Sequence, residues 1–276
     1  MSAAAVAAGS GRALPPPGHV SLSTQVAVLA RRSVVRTLRQ PAQIVPALVF
    51  PSFLLAVNAG GLAAATKLPG FPTDSYLDFA WAIMFMQGAL FALTGAGKDL
   101  ATDIQTGFLN RLSLTPLRAP ALLAGLLAGV VALALIEAAF YLAVGLTAGA
   151  TFAAGVGGAL VLVALMIVIA LAFGSVGAWL ALRTGSGEAV EGMFPLVFVL
   201  LFLSSMSLPR DLIQQDWFRT VATWNPVSYL IEGMRSVIIT GWDGEALGLA
   251  FGIGAAVFVV GITLASRSMK TRLVRT

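Results

Sequence analysis

Glu137 is the residue whose type and position could do chemistry at the greatest energetic cost. It lies inside an apolar run, where an ionisable side chain costs roughly 2.5–3.5 kcal/mol on an insertion scale. It could relay a proton or meet a cationic substrate. Equally it could be a neutral acid kept so by burial, or bonded to a neighbouring helix through Tyr141, four residues on. Glu188 and Glu191 stand at the predicted start of a later run, where negative charge suits a helix N-terminus. Phe194, Phe198 and Phe202 recur every four residues and place three rings on one helix face. Such a face can line a path for an apolar substrate, or pack against lipid and neighbouring helices. Gly174, Gly177, Ala178 and Ala181 form a stripe of small residues that suits close helix packing.

Other chemistries find no residues. The chain has no cysteine and a single histidine, His19, so thiolate chemistry and histidine metal clusters have no ligands. A phosphate-cradling Walker loop needs GxxxxGK[ST]. The nearest string, Gly95-Ala96-Gly97-Lys98-Asp99, lacks both the earlier glycine and the hydroxyl residue. No HExxH, GxSxG or dinucleotide-binding glycine pattern is present. We therefore expect no catalytic, cofactor or metal site in this chain, and no nucleic-acid surface, because the basic residues flank apolar runs and are not interleaved with aromatics.

The elements that must position these residues follow from composition. Of 276 residues, 58% are hydrophobic and 11% charged, against roughly 25% charged in soluble domains. Too few charges remain to coat a water-facing surface, and several apolar runs reach the 18 or more residues that span a bilayer. The expected fold is all-α and integral to the membrane, with six transmembrane helices near 43–63, 78–97, 119–148, 155–182, 190–207 and 245–266. Residues 1–20, rich in Pro and Gly, read as a disordered tail. Residues 21–42 hold a basic amphipathic helix for the membrane surface, with Arg32, Arg36 and Arg39 on one face and Val26, Ala30 and Val34 on another arc. The 98–118 loop contains a short helix. Residues 208–244, too polar to cross but rich in aromatic and aliphatic residues, read as two short amphipathic helices dipping in from one face. Residues 267–276 form a basic tail.

Thirteen of the seventeen Lys and Arg residues fall on one side of this layout, and only Lys67, Arg210, Arg219 and Arg235 on the other. The positive-inside rule then places both termini in the cytoplasm.

Two segments carry a resemblance. Asp103-Ile-Gln-Thr-Gly107-Phe108-Leu-Asn-Arg111-Leu112-Ser-Leu-Thr-Pro116-Leu-Arg118 resembles the cytoplasmic loop after the second helix of ABC-2 permeases of the daunorubicin-resistance type. Asn225-Pro226-Val-Ser-Tyr-Leu-Ile-Glu232-Gly-Met-Arg235, followed by Gly241, resembles the stretch before the last helix of that family, and Phe202-Leu203-Ser204-Ser205 with Pro209 resembles the end of its fifth helix. The resemblance implies a permease subunit of an ATP-driven exporter in the plasma (inner) membrane, moving an amphipathic drug-like or lipid substrate. Lipid-linked polysaccharide is the alternative cargo, and a proton-coupled carrier the alternative class. It implies a separate ATPase subunit, two copies of it carrying the ATP and Mg, and a second permease, identical or homologous. It implies a coupling helix in 98–118, with Asp103, Gly107, Phe108, Arg111, Leu112 and Pro116 meeting the ATPase. It implies a pathway lined by Asn58, Gln87, Phe194, Phe198 and Ser205, and a re-entrant gate at Pro209, Asn225, Pro226, Glu232 and Arg235.

Overall fold

The computed structural model describes residues 21–113 and 118–275. The 1–20 tail and Pro116 of the expected coupling segment lie outside the described residues. Every regular element among the described residues is helical: α1 (Leu22–Leu38), α2 (Pro41–Gly61), α3 (Tyr76–Gln105), α4 (Phe108–Ser113), α5 (Ala119–Thr147), α6 (Gly155–Thr184), α7 (Gly187–Phe202), α8 (Asp216–Trp224), α9 (Pro226–Ile239) and α10 (Gly244–Arg275).

Five of these, α2, α3, α5, α6 and α10, are long and apolar enough to cross a membrane. The sequence predicts a further span, the fifth of six, at 190–207. The helix there, α7, stops at Phe202 after 16 residues, about 24 Å at 1.5 Å per residue, and the chain beyond it turns irregular. Other boundaries also move. Residues 98–105, read as loop, continue α3 without a break. Residues 267–275, read as a separate tail, continue α10.

Contacts along the helices show their directions. α3 runs beside α6 and α6 beside α10 in the same sense, with Leu93 against Gly177, Val168 against Gly254 and Ser175 against Gly261. α5 and α7 run against α3, with Trp81 opposite Gly145, and with Gly97 opposite Val190 while Phe91 meets Phe194. The connecting segments therefore gather at two ends. One holds α1, α4, the 185–186 turn and the end of α10. The other holds 62–75, 148–154 and the 203–243 segment, tied by Tyr76 Oη to Ser207 O (2.9 Å), by Thr151 N and Oγ1 to Asp78, and by Ala153 N to Ile238 O.

α3 is the central helix and is buried along nearly its whole length. It is also the span that carries Gln87, Thr94, Lys98, Asp99 and Asp103. In a lipid solvent the polar helix goes inside, where protein can match its side chains.

The small-residue stripe read from α6 makes the closest approach in this packing. Gly174, Gly177, Ala178 and Ala181 are all buried, and a Cβ at Gly177 would run into the Leu93 carbonyl. That obstacle is backbone, which cannot rotate away. Gly177→Val is expected to cost at least about 1–3 kcal/mol and to lower the thermal unfolding midpoint in detergent. Gly187→Ala, with open space around it, should leave that midpoint unchanged. Equal midpoints for both variants would refute the close approach.

Candidate functional site

At the α4 end an ion cluster joins three helices. Arg32 and Arg36 lie one turn apart on α1, and Asp99 and Asp103 one turn apart on α3. Arg32 holds Asp103 with two parallel bonds, Nη1 to Oδ2 at 2.9 Å and Nη2 to Oδ1 at 2.7 Å. Arg36 Nε lies 2.9 Å from Asp99 Oδ1, and its Nη1 donates to Asp103 Oδ1 at 3.0 Å. Gln40 Nε2 adds a bond to Asp99 at 3.2 Å. The Arg32 guanidinium also sits over the Phe108 ring at 4.0 Å, which fastens α4 to α1. Hydrogen bonding to Asp103 raises the Arg32 pKa above its ordinary value despite partial burial. Forked guanidinium–carboxylate pairs of this kind combine strength with fixed geometry.

This changes the reading of α1. Two of its three expected surface arginines turn inward to α3, and only Arg39 is exposed. The helix packs lengthwise on α5 through Gln25, Leu29, Ser33 and Thr37, where Gly125 and Gly129 allow contact with Leu29 and Thr37, and Gln25 Oε1 accepts from Arg118 N. Asp103, expected to meet a partner, is 6% exposed and its oxygens are occupied by α1. Gly107 sits at φ 69°, a left-handed conformation that glycine tolerates, and so α4 turns away from α3. Leu109 is buried, Leu112 half-buried, and Arg111 exposed.

Between the start of α2, α3 and α7 lies a chamber of about 640 Å³, lined among others by Arg39, Gln43, Phe91, Lys98, Glu191 and Phe194. Lys98 and Glu191 pair across α3 and α7 at 2.5 Å. From Phe91 a series of rings leads away: Phe91–Phe194 (5.3 Å), Phe194–Phe198 (5.6 Å), Phe198–Phe202 (5.3 Å), with Phe50 of α2 5.8 Å from Phe198.

At the opposite end, α9 clasps the irregular segment after α7. Asn225, Ser228, Glu232 and Arg235 share one face at i, i+3, i+7 and i+10. Asn225 Nδ2 donates to Leu200 O (2.6 Å) and Leu203 O (3.0 Å), carbonyls that the end of α7 leaves open, while its Oδ1 caps α9 at Val227 N. Ser228 Oγ accepts from Ser205 N and donates to Ala222 O. Arg235 donates to Ser205 O, Met206 O and Phe79 O and stacks on the Phe79 ring at 3.5 Å. Glu232 pairs with Arg210 at 2.6 Å. Burial alone would lower the Arg210 pKa, but Glu232 and Tyr229 raise it. Pro209 and Pro226 stand at the starts of the 210–212 turn and of α9. A second cavity, about 600 Å³, opens beside this clasp.

A family model described as ABC-2 type transporter matches residues 24–239. The chain belongs to the ABC-2 type transporter family. The daunorubicin resistance ABC transporter permease protein DrrB1 of Streptomyces coeruleorubidus is 27% identical over 84% of this chain and 81% of its own length. A transport permease named ycf38 from Porphyra purpurea is 27% identical over 90% of both chains. A probable doxorubicin resistance ABC transporter permease protein, DrrC, of Mycobacterium tuberculosis is 25% identical over 79% of this chain and 78% of its own. Membership makes this a multi-pass membrane protein of a permease family whose members work with an ATPase and a second permease.

Against that identity, the expected pathway residues of this ABC-2 permease separate. Phe194 and Phe198 join the ring series beside the chamber. Ser205 lies inside the clasp, fully buried. Asn58 is half-buried on α2. Gln87 and Glu137 are each 1% exposed, and Gln87 Nε2 and Glu137 Oε1 have no hydrogen-bond partner among the described residues. Tyr141 does not serve Glu137. Its hydroxyl donates to Ala47 O, the carbonyl that Pro51 deprives of its helical donor, and Gly88 leaves room for its ring. Sequence reasoning missed the roles of Arg32, Arg36, Asp99, Ser228 and Arg210. The one-turn pairs 32/36 and 99/103 were visible as spacing, but nothing local says that they meet.

Tyr141→Phe is expected to leave the Ala47 carbonyl unsatisfied at a cost of about 1–3 kcal/mol, read as a lower unfolding midpoint in detergent. A midpoint equal to that of the parent protein would show that the bond contributes nothing.

Proposed function

We propose that this permease is the membrane half of an ATP-driven exporter for an amphipathic drug-like or lipid substrate. The ion cluster joining α4 to α1 and α3 is the observation that carries the reading. α4 presents Arg111 outward and is held from behind by Phe108 under Arg32 and by the Gly107 turn. A push on α4 from a separate ATPase, which would hold the ATP and Mg, is thereby delivered to α1 and to the central helix. Asp103 transmits within the chain, and contact with the ATPase falls to exposed Arg111 and half-buried Leu112 of α4. The DrrB1 and DrrC names support a drug-like cargo, since one relative is named for daunorubicin resistance and the other for doxorubicin resistance.

The layout in this reading has six spans, with α7 as a short fifth. Its direction, from the α4 end to the α9 end and against α3, supports that place. The basic excess at the α4 end puts it in the cytoplasm together with both termini, and puts α8 and α9 outside as a re-entrant gate held by Asn225, Glu232 and Arg235. Two permease copies enclose the path, with α2 and α7 leaving apolar faces such as Phe53, Val57, Leu196 and Val199 uncovered.

Affinity purification in mild detergent is expected to recover an ABC ATPase with this chain. Arg111→Glu should cut that recovery several-fold while the permease keeps its unfolding midpoint, because Arg111 is exposed. Recovery equal to that of the parent protein would remove α4 as the docking element. Glu137→Gln is expected to leave ATP-driven export standing. Export that runs on a proton gradient without ATP, and stops with that substitution, would make the protein a carrier instead.

A further inference from the structure

Glu137 Oε1 is buried with no hydrogen-bond partner among the described residues. An unpaired carboxylate withdrawn from water is costly, so Glu137 is stable there as the acid. On α5, Leu126, Val130, Leu133 and Glu137 follow at i, i+4, i+7 and i+11 and form one stripe. The first three line a small cavity between α1, α2, α3 and α5, of about 10 Å³, which is close to the room that one water needs. Its other walls carry Thr37, Gln43 and Asp99, enough polar partners for a buried water. Gln43 also stands level with Glu137. α2 and α5 run in the same sense, Tyr141 Oη donates to Ala47 O, and one turn back from those two residues lie Glu137 and Gln43. Gln43, Gly95 and Asp99 line both this cavity and the chamber at the α4 end, so the two share a wall, and Gln43, seated on Gly95, is part of it. The chamber reaches water, since Arg39 and Lys98 on its wall are exposed. Towards the α9 end the stripe is closed. Its next residue, Tyr141, is held by Ala47 O, its ring meets Phe85, and Trp81 donates to Tyr141 O. All three rings are fully buried.

We infer that Glu137 is a proton-binding site served from the α4 end alone, through a water in this cavity and the Gln43 amide. On uptake, the cavity water gives a proton to the Glu137 carboxylate and regains one from the water of the chamber. Release runs the same line backwards. No proton leaves at the α9 end, so this exchange is not transport, and it does not depend on the export reading. The charges facing the line are already matched. α1 and α3 bring Arg36 and Asp99, paired with each other, with Arg32 and Asp103 paired one turn further out. α2 brings Gln43 and no charge, α5 itself brings Tyr141, and α6 and α10 carry ionisable residues only towards their ends.

The test is infrared spectroscopy of the full chain in phosphatidylcholine nanodiscs, on transfer from H2O to D2O. The carboxylic C=O band of Glu137 is assigned by its loss in Glu137→Gln. It is expected to be present in the parent protein and to shift within the mixing time. Gln43→Leu should slow that shift at least about tenfold, to a rate set by opening of the helices, at an unfolding midpoint close to the parent value. Gly95→Ala is the second variant. Its Cβ would lie 1.9 Å from Gln43 Nε2, the end of a flexible side chain, so the amide is displaced from the wall and the shift should slow likewise. No band lost in Glu137→Gln means that Glu137 is ionised, and overturns the proton site. A band that shifts no faster than the slowest backbone amides means a sealed acid, and overturns the access. A parent-like rate in both Gln43→Leu and Gly95→Ala makes Gln43 a packing residue only, and overturns the route. None of these outcomes touches ATPase recovery, so the proton site and the permease reading stand or fall separately.

Discussion

A carbonyl that loses its helical hydrogen bond inside hydrocarbon must find another donor within the protein, because lipid offers none. Much of this structure follows from that constraint. Pro51 frees Ala47 O in α2, and the Tyr141 hydroxyl of α5 supplies the replacement. The ring can reach it only because Gly88 of α3 has no Cβ in the way, so three helices are held in register by one orphaned acceptor. The same ring packs edge-on against Phe85, which in turn touches Trp81, whose indole donates to Tyr141 O. At the end of α7 the problem recurs on a larger scale. Asn225, Ser228 and Arg235 cover the open carbonyls and amides of residues 200–206. α9 is folded against that segment because its polar face is the donor set the segment lacks.

Charge obeys a related rule. A guanidinium or carboxylate withdrawn from water is costly unless matched, and Asp99 and Asp103 of α3 are matched by α1. This gives α1 a structural role that its composition did not suggest. It lies along α5 on a seam of Gln25, Ser33 and Thr37 and closes the ion cluster over α3. On the proposed mechanism, the stiff joint among Arg32, Asp103 and Phe108 is what allows a short helix to move long ones. The chamber lies next to this joint and is lined by Arg36 and Asp99 of the same ion cluster, so movement at α4 would reach it directly.

Some of this was legible in the residues. Apolar runs separated by clusters of charge marked the long helices, and the small stripe of α6 marked a close packing face, because both are properties of one segment in its own neighbourhood. The 225–235 motif was legible as a motif, and its spacing of three and four already put Asn225, Glu232 and Arg235 on one face. Its partners were not legible, since they are backbone atoms of residues 200–206 with no side-chain signature. The length of α7 was misjudged for the same reason: Leu203, Ser204 and Ser205 look compatible with a helix until Asn225 and Ser228 compete for their backbone groups.

The order of residues was enough to establish that the chain is helical and bound to a membrane, that its basic residues cluster at the ends of the apolar runs, and that it carries no phosphate-cradling motif. These follow from composition and local order, which transfer free energies read directly. Tertiary structure decided which charges are internal and which face outward. Arg32, Arg36 and Arg39 look alike along the helix, yet two of them are fastened to Asp103 and Asp99 while the third is open on the chamber. That distinction depends on residues more than sixty positions away, brought close by the packing of α1 on α5, and no local pattern encodes it.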